Sequence, residues 1–307
     1  MTTPLSKTET ERLLKLATTA SMVTAVILIA AKFAAYLLTN SMSVLASLID
    51  SLMDAGASLI NLLAVRYSLA PPDTEHRYGH GKAESIAGLA QATFITGSGL
   101  FLIVEAIDRI VHPEPLDDLG IGLAVMIFAI AATLILLAIQ YYVIRRTHST
   151  AIRADALHYK TDLLANGATI AALVLTQIGW FGVDPLFGLA IAVYILYSAW
   201  GIGRDAVHDL LDRELSDEKR ATIIALATEN PRVRGIHDLR TRLSGRTEFI
   251  QMHLELDDDL PLIEAHAIAD EVEKKIMQAL PTADVVIHQD PVSTIDAGTQ
   301  PVFRRAQ

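Results

Sequence analysis

Two carboxylates, Asp50 and Asp54, interrupt an otherwise apolar stretch that covers residues 41–65. The stretch is long enough to cross a bilayer as a helix, which needs about 20 residues. In a helix, the four-residue spacing places both side chains on the same face. A charge inside a membrane span costs at least about 2.5–3.5 kcal/mol on insertion scales, so such acids indicate a function. We interpret them either as half of a divalent-cation site or as a pair neutralised by a Lys or Arg of another helix.

A second pair with the same spacing, His158 and Asp162, lies in the stretch of residues 151–177. A lone histidine in an apolar helix is more often a core residue, but the repeated spacing favours a metal ligand here. Three carboxylates and one imidazole suit tetrahedral Zn²⁺ best, and carboxylate-rich sites also admit Mn²⁺ or Fe²⁺. The sequence therefore predicts one intramembrane metal site made of Asp50, Asp54, His158 and Asp162.

Three more potential ligands, Asp73, His76 and His80, lie in a Pro/Gly-rich loop of residues 70–84. Their spacing fits a metal site or an ordinary solvated loop. The run from Gly79 to Lys82 resembles a phosphate-binding loop, but it lacks the first glycine and the Ser or Thr after the lysine. We therefore predict no ATP binding.

A third set of ligands lies in the C-terminal part of the chain: His237, His253, His266, His288 and Asp290. The first two fall on neighbouring predicted strands, and the last two share one face of a strand because they are two residues apart. The carboxylate of Asp290 has two oxygens and can therefore bridge two metals. The alternative is a set of scattered surface histidines.

Composition places these groups in a membrane protein with a soluble C-terminal domain. Half of the 307 residues are apolar, and they concentrate before about residue 207. The net charge of −10 argues against a nucleic-acid partner. Because the chain has no cysteine, any metal site must use histidines and carboxylates. The first apolar run is long enough to span and is followed by more spans, so we do not interpret it as a signal peptide.

Six membrane spans are predicted, at about residues 17–38, 41–65, 85–110, 119–144, 151–177 and 186–206. Lys32, inside the first, is expected either to snorkel to the membrane surface or to face the helix bundle. Lys and Arg concentrate in the N-terminal segment, after the second and fourth spans, and after the sixth. This distribution predicts that both termini are cytoplasmic.

The remaining sequence predicts a small domain with the order α-β-β-α-β, beginning with a helix capped by Ser216. Alternation of apolar and polar residues indicates half-buried strands. The predicted fold class is thus an α-helical membrane protein with six transmembrane helices and a small cytoplasmic α/β domain. The predicted domains are 1–208 (transmembrane), 209–292 (cytoplasmic, metal-binding) and 293–307 (a disordered tail).

These features resemble the cation diffusion facilitator (CDF) family, and within it the bacterial zinc and iron efflux transporters. The resemblance runs from about residue 10 to 292, and its most specific motifs are RYGHGKAE from Arg77, ADALHYK from Ala154 and LLDRE from Leu210. It implies a homodimeric, proton-coupled Zn²⁺ exporter, multi-pass in the bacterial inner membrane, with a metallochaperone-like cytoplasmic domain.

The resemblance also implies a role for each group of residues. Asp50, Asp54, His158 and Asp162 match the family's transport site, and Asp73, His76 and His80 match its loop site. The five C-terminal residues His237, His253, His266, His288 and Asp290 match a binuclear site at the dimer interface. Lys82 and Asp212 match a salt bridge that joins the two subunits near the membrane surface.

The predicted function is export of Zn²⁺, with Cd²⁺ or Fe²⁺ as further substrates, by exchange for protons across the inner membrane. Metal ligands must be deprotonated, so metal and protons compete, and histidine changes charge near neutral pH. Zn²⁺ is expected both as cargo and as a structural ion. The alternatives are a membrane-anchored metal sensor without transport, or a transporter of Fe²⁺ or Mn²⁺. The expected partners are a second copy of the chain, the lipid bilayer, divalent metal ions and protons; no enzymatic activity is predicted.

Overall fold

The computed structural model describes residues 7–40, 42–111, 120–177, 184–295 and 301–305. The chain divides into two compact units, Met1–Val207 and His208–Gln307. The first unit is helical and the second is an α/β domain.

Six long helices make up the described part of the first unit: α1 (Lys7–Thr39), α2 (Met42–Ser68), α3 (Lys82–Val111), α4 (Gly120–Thr147), α5 (Thr150–Gln177) and α6 (Asp184–Leu210). All except α5 are long and apolar enough to cross a membrane. Helix α5 has 28 residues and therefore has the length of a span, but its first half carries several charged side chains. The predicted fold class, a helical membrane protein with a C-terminal α/β domain, is confirmed.

The helices pack through small and branched apolar side chains. Helix α1 lies against α2 and α4, and α5 lies against α3 and α4. Helix α6 joins α3 and α5 through a buried cluster that includes Ile95, Leu157 and Ile195. A Cβ at Gly99 would lie only 3.0 Å from Leu196 Cδ2, so the missing side chain permits the close approach of α3 and α6.

A completely buried carboxylate, Asp155 of α5, connects three other helices. Its Oδ2 accepts hydrogen bonds from Ser21 Oγ of α1 at 2.5 Å and from Gln140 Nε2 of α4 at 2.8 Å. Its Oδ1 accepts one from Gln91 Nε2 of α3 at 3.3 Å. Three donors therefore replace the water that this carboxylate loses on burial.

The next turn of α5 extends this network to α2. The Tyr159 hydroxyl is 2.9 Å from Ser58 Oγ of α2 and donates to the Ser21 carbonyl at 3.3 Å. Asp155 and Tyr159 together thus link α5 to each of α1, α2, α3 and α4 by hydrogen bonds inside the membrane domain.

The second unit contains α7 (Asp217–Thr228), β1 (Gly235–Ser244), β2 (Thr247–Leu256), α8 (Leu262–Ala279), β3 (Ala283–Pro291) and β4 (Pro301–Arg304). The strand order is β3-β2-β1-β4, with β2 and β3 parallel and the other neighbours antiparallel. The predicted cap is present, because Ser216 Oγ accepts from the Lys219 backbone N–H. The predicted order of the first five elements matches the structure.

The prediction of a disordered tail at residues 293–307 is wrong for strand β4. This strand pairs with β1, and Phe303, opposite Ile236, packs against the core of the domain. Its four residues are too few to show an alternating pattern, so the strand depends on pairing with distant β1. Residues 296–300 and 306–307 of the tail lie outside the described residues.

The apolar core fills the space between one sheet face and the two helices. Strand residues Ile236, Ile250 and Met252 pack with Val272 and Ile276 of α8. Because successive strand side chains point to opposite faces, the histidines of β1 and β2 are carried on the other face.

We expect Asp155→Ala to destabilise the membrane domain strongly. The change removes an acceptor shared by Ser21, Gln91 and Gln140, and each buried donor that finds no other acceptor costs about 1–3 kcal/mol. Thermal unfolding of the purified full chain measures the effect. The matched control is Asp205→Ala, which removes a half-exposed carboxylate paired with Arg153, an interaction worth about 0–1 kcal/mol. Equal losses in the two variants would contradict the role assigned to the network.

Candidate metal centres

The intramembrane group brings together side chains of α2 and α5. Asp54, His158 and Asp162 each offer a ligand atom, and these atoms all lie within 4.8 Å of one another. His158 Nε2 is 2.9 Å from Asp54 Oδ1 and 3.9 Å from Asp162 Oδ2. The two elements therefore place an imidazole nitrogen between two carboxylates, as the predicted spacing requires.

The imidazole of His158 is buried and held by aromatic rings. Its ring centroid lies 5.6 Å from that of Tyr159 and 6.0 Å from that of Phe94. Despite the short distance to Asp54, Nε2 has no hydrogen bond of ordinary geometry. A buried nitrogen without a hydrogen bond, facing two carboxylates, matches a ligand set for a divalent ion.

Asp50 lies one turn before Asp54 on α2 and is exposed on the single chain. Among the described residues, it is outside the group whose ligand atoms lie within 4.8 Å. Lys32 of α1 lies next to it: its Nζ donates to Ser51 Oγ at 2.6 Å and to the Ser47 carbonyl at 3.0 Å. Of the two positions expected for Lys32, the structure shows the one facing the bundle. The ammonium of Lys32 lies close enough to interact with Asp50, Asp54 and Asp162. Both interpretations of the acidic pair therefore apply: the carboxylates have a basic neighbour, and they also form part of a possible ligand set.

The loop between α2 and α3 gathers Asp73, His76 and His80 within the same 4.8 Å limit. His80 Nε2 is 3.1 Å from Asp73 Oδ2, and His76 Nδ1 is 3.4 Å from Asp73 Oδ1. His80 is buried, and neither of its ring nitrogens has a hydrogen bond of ordinary geometry. The left-handed backbone of Gly79 (φ 77°) turns the chain between the two histidines.

Backbone N–H groups donate hydrogen bonds to the loop carboxylate. The N–H of His76 donates to Asp73 Oδ1 at 2.6 Å, and the N–H of Glu75 donates at 2.9 Å. These hydrogen bonds lower the pKa of Asp73 below its usual range. A group with a lowered pKa loses its proton at lower pH, so Asp73 is available as an anionic ligand at neutral pH.

In the second unit, sheet register aligns three histidines in a row. His237 of β1 lies opposite His253 of β2, and His253 lies opposite His288 of β3. The rings are adjacent, with centroids 4.9 Å apart in the first pair and 4.7 Å in the second. A bulge after His237, with Asp238 at φ 48°, shifts the register of β1 beyond this row.

Asp290 contacts all three of these histidines. Its Oδ2 is 2.7 Å from His253 Nδ1 and 3.3 Å from His237 Nε2. Its Oδ1 is 3.1 Å from His288 Nε2. Both carboxylate oxygens thus have imidazole neighbours, which is the arrangement that a bridging carboxylate needs.

Sequence reasoning did not select Glu255 or Arg304, which support His237: Glu255 contacts the imidazole, and Arg304 contacts Glu255. The buried Glu255 places Oε1 3.1 Å from His237 Nδ1 and 3.3 Å from Arg304 Nη2 of β4. A Cβ at Gly235 would clash with the carboxylate of Glu255, so a larger residue there would shift this carboxylate away from His237. A carboxylate on the second nitrogen of a histidine orients it as a ligand. Glu255 follows His253 by two residues, so the alternation of side chains along a strand could have placed it on the same face as the histidines.

Several predicted residues are not brought together within one chain. His266 is exposed on α8 and, in the part that the structure describes, lies outside the metal-ligand groups. Asp212 contacts Arg242 of its own domain, with Oδ1 and Nη1 3.2 Å apart. The contact of Lys82 with Asp212 of a second subunit stays a prediction, as does the part of His266 in a site at a dimer interface.

The fold and these groups define a multi-pass membrane protein with metal-ligand clusters in its helical unit and in its C-terminal domain. The models for the cation efflux transmembrane domain and for the cytoplasmic domain of cation efflux proteins match residues 18–211 and 215–292, respectively. The chain therefore belongs to the cation efflux (CDF) family, and the resemblance found in its motifs is confirmed.

Relatives match along almost the whole chain. The chain is 52% identical over 294 residues to the cation-efflux pump FieF of Klebsiella pneumoniae, covering 96% of this chain and 98% of that protein. It is 51% identical over 284 residues to FieF of Escherichia fergusonii, covering 92% and 95%.

Two solved structures each match about a quarter of the chain. The zinc form of CzrB is 34% identical and covers 28% of this chain and 98% of its own, with a TM-score of 0.26. The metal-bound C-terminal domain of the CzcD transporter from Thermotoga maritima is 26% identical and covers 26% and 93%, with a TM-score of 0.25.

We expect Zn²⁺ to raise the melting temperature of a fragment of residues 208–305, because metal that binds only the folded domain stabilises it. The fragment must include β4, since Arg304 contacts Glu255. His253→Ala removes the central histidine of the row and should abolish most of the shift in thermal unfolding. His266→Ala is the comparison variant. A monomeric fragment with this change should keep the shift, because His266 lies outside the single-chain cluster. A dimeric fragment should lose part of the shift if the second chain contributes His266 to the site. No shift in the unsubstituted fragment would contradict the metal assignment.

Proposed function

We propose that this protein exports divalent metal ions, with Zn²⁺ as the main cargo, across the bacterial inner membrane in exchange for protons. The main support for this proposal is that Asp54 of α2 and His158 and Asp162 of α5 lie close together between two membrane-length helices. Carboxylate and imidazole ligands are the types that bind Zn²⁺, and Cd²⁺, Fe²⁺ or Mn²⁺ are further candidates. Asp50, one turn away on α2, is the fourth predicted ligand.

Proton exchange follows from the chemistry of the ligands. Each ligand must be deprotonated to bind metal, so a cluster of carboxylates and imidazole holds either an ion or protons. A site that takes up metal from the cytoplasm and protons from outside needs no ATP. Rocking of helix groups about a site at mid-membrane supplies alternating access in many secondary transporters.

The direction of transport is proposed from charge distribution and from the relatives. Arg66 in the last turn of α2, and Arg145 and Arg146 in the last turn of α4, favour a cytoplasmic position for these helix ends by the positive-inside rule. Both termini and the C-terminal domain then face the cytoplasm. The similar proteins from Klebsiella and Escherichia are named as efflux pumps, which supports export rather than uptake.

The C-terminal domain is proposed as a dimer contact stabilised by structural Zn²⁺. The sheet face with His237, His253, His288 and Asp290 has a donor set that fits this ion. In the proposed homodimer, His266 joins the metal site at the interface, and Lys82 of one subunit pairs with Asp212 of the other, as the family resemblance implies. A membrane-anchored sensor without transport is the weaker alternative, because a sensor has no need for ligands buried in the helical unit.

We expect Asp54→Ala to abolish metal transport while the protein stays folded. It removes a ligand from the central cluster together with a costly charge in the membrane, so stability should change little. The measurement is Zn²⁺ uptake into sealed proteoliposomes, with Asp205→Ala as the matched control because Asp205 lies outside the cluster. Zn²⁺ flux at the unsubstituted rate in the Asp54→Ala variant would remove the basis for this transport site.

We also expect Zn²⁺ and protons to move in opposite directions. Each ion bound at neutral pH should displace about one proton or slightly more from the ligands. Vesicles with an internal pH dye measure this, with Asp73→Ala and His253→Ala present to weaken the two other clusters. Lower pH on the metal-loading side should weaken Zn²⁺ uptake, since protons compete for the same atoms. Zn²⁺ movement without opposing proton movement would show a uniporter, even if the ligands are assigned correctly.

A further inference from the structure

A groove lies on the side of α5 opposite the metal cluster. It has a volume of 560 Å³ and is lined by residues of α4, α5 and α6. On α5 the lining residues include Arg153, Leu157 and Lys160, at the three- and four-residue spacing of one helix face. His158 and Asp162 lie on the opposite face of the helix. The groove is therefore separate from the proposed transport site.

Three cations line this groove: Arg153, Lys160 and Arg204. The lining residues that the structure describes include no carboxylate. Arg153 Nη1 lies 2.9 Å from Asp205 Oδ2, so one of the charges is partly compensated from outside the lining. Lys160 Nζ donates to the Tyr194 hydroxyl at 2.5 Å and lies 4.7 Å from the centre of that ring. The neighbour that holds the ammonium is a phenol rather than an anion, so Lys160 keeps a positive charge in the groove.

Aromatic and apolar side chains form the rest of the lining. Tyr197 is 80% exposed and Trp200 is 73% exposed, and both border the groove with Tyr141. Tyr and Trp are typical of the membrane–water interface, because each has an apolar body and a polar atom. Ile144 and Ile202 supply apolar surface beside the cations. The groove thus offers both anion-binding and hydrocarbon-binding surface to the same molecule.

One end of the groove lies at the level expected of lipid headgroups, and Lys160 lies about two helical turns deeper. Arg153 is in the first turn of α5, and Arg145 and Arg146 end the preceding α4. Arg146 lies over the exposed ring of Tyr142, with 4.7 Å between its guanidinium carbon and the ring centre. Basic side chains therefore concentrate at one membrane surface, and basic pockets between membrane helices at such a surface bind anionic headgroups.

We propose that this groove is a binding site for an anionic phospholipid, with Arg153 facing the headgroup phosphate and Lys160, about two helical turns deeper, adding to the positive potential of the groove. Arg204 lines the same site, and its aromatic and aliphatic lining offers a surface for the acyl chains. A soluble anion would use only the cations and leave the aromatic and aliphatic lining exposed, so a lipid uses more of the observed surface. The proposal does not depend on the direction or the ion of transport.

The experiment titrates the full-length protein, purified and stripped of lipid in detergent, with phosphatidylglycerol and counts bound lipid by native mass spectrometry. Phosphatidylcholine and inorganic phosphate are the comparison ligands. Lys160→Gln removes one cation, and Arg153→Gln with Lys160→Gln removes two. Lys160→Arg keeps the charge, and Arg66→Gln is the matched control because it removes an arginine from the end of α2, outside the groove. Thermal unfolding confirms that each variant is folded.

We expect the protein to bind phosphatidylglycerol selectively. Lys160→Gln should weaken this binding about fivefold, and the double variant should weaken it further. Lys160→Arg and Arg66→Gln should change it little. Equal binding of phosphatidylcholine would overturn the proposal, because charge would then have no part in the site. Unchanged phosphatidylglycerol binding in the folded double variant would also overturn it. Displacement of the lipid by an equal concentration of inorganic phosphate would identify a site for soluble anions instead.

Discussion

The structure depends on how a chain that spans a membrane stabilises ionisable groups away from water. Helix α5 shows two solutions within two turns. The oxygens of Asp155 are occupied by three neutral donors from other helices, which satisfy the carboxylate completely. Asp162 instead faces the His158 nitrogen, which has no hydrogen bond of ordinary geometry. The first carboxylate is used to hold the fold, and the second remains available to a ligand.

This division of roles explains how the metal cluster is positioned. Tyr159, next to His158 in sequence, joins the network around Asp155 through Ser21 and Ser58. The backbone that carries the imidazole is therefore fixed to neighbouring helices on both sides of the ligand. Ligands held by such supporting hydrogen bonds keep their geometry when the ion is exchanged. The C-terminal domain reaches the same result through strand register, with Glu255 orienting His237 from the neighbouring strand.

Sequence reasoning identified the parts of the sites that are encoded by local spacing. The four-residue separation of His158 and Asp162, and the two-residue separation of His288 and Asp290, follow from helix and strand geometry alone. The pairing of Asp54 with α5 was proposed from matched spacing, and the structure shows the contact. The position of Asp50 outside the tight cluster was not predictable, because it depends on how α2 rotates against α5.

Features that depend on distant contacts were missed. Asp155 was noted only as part of a motif, since its partners lie 15 to 134 residues away and each is an ordinary polar residue in an apolar helix. The orientation of Lys32 depends on α2, which no pattern in α1 reveals. Strand β4 was interpreted as a tail because four residues carry little signal, although pairing with β1 brings Arg304 to Glu255.

The most direct test of the central claim is equilibrium binding of Zn²⁺ to the full chain with the two other clusters weakened by Asp73→Ala and His253→Ala. The account predicts that this protein binds one ion per chain tightly at neutral pH, and that adding Asp54→Ala removes this binding while the protein remains folded. Zn²⁺ binding that is unaffected by Asp54→Ala would contradict the account, because the ion would then occupy a site other than the cluster between α2 and α5.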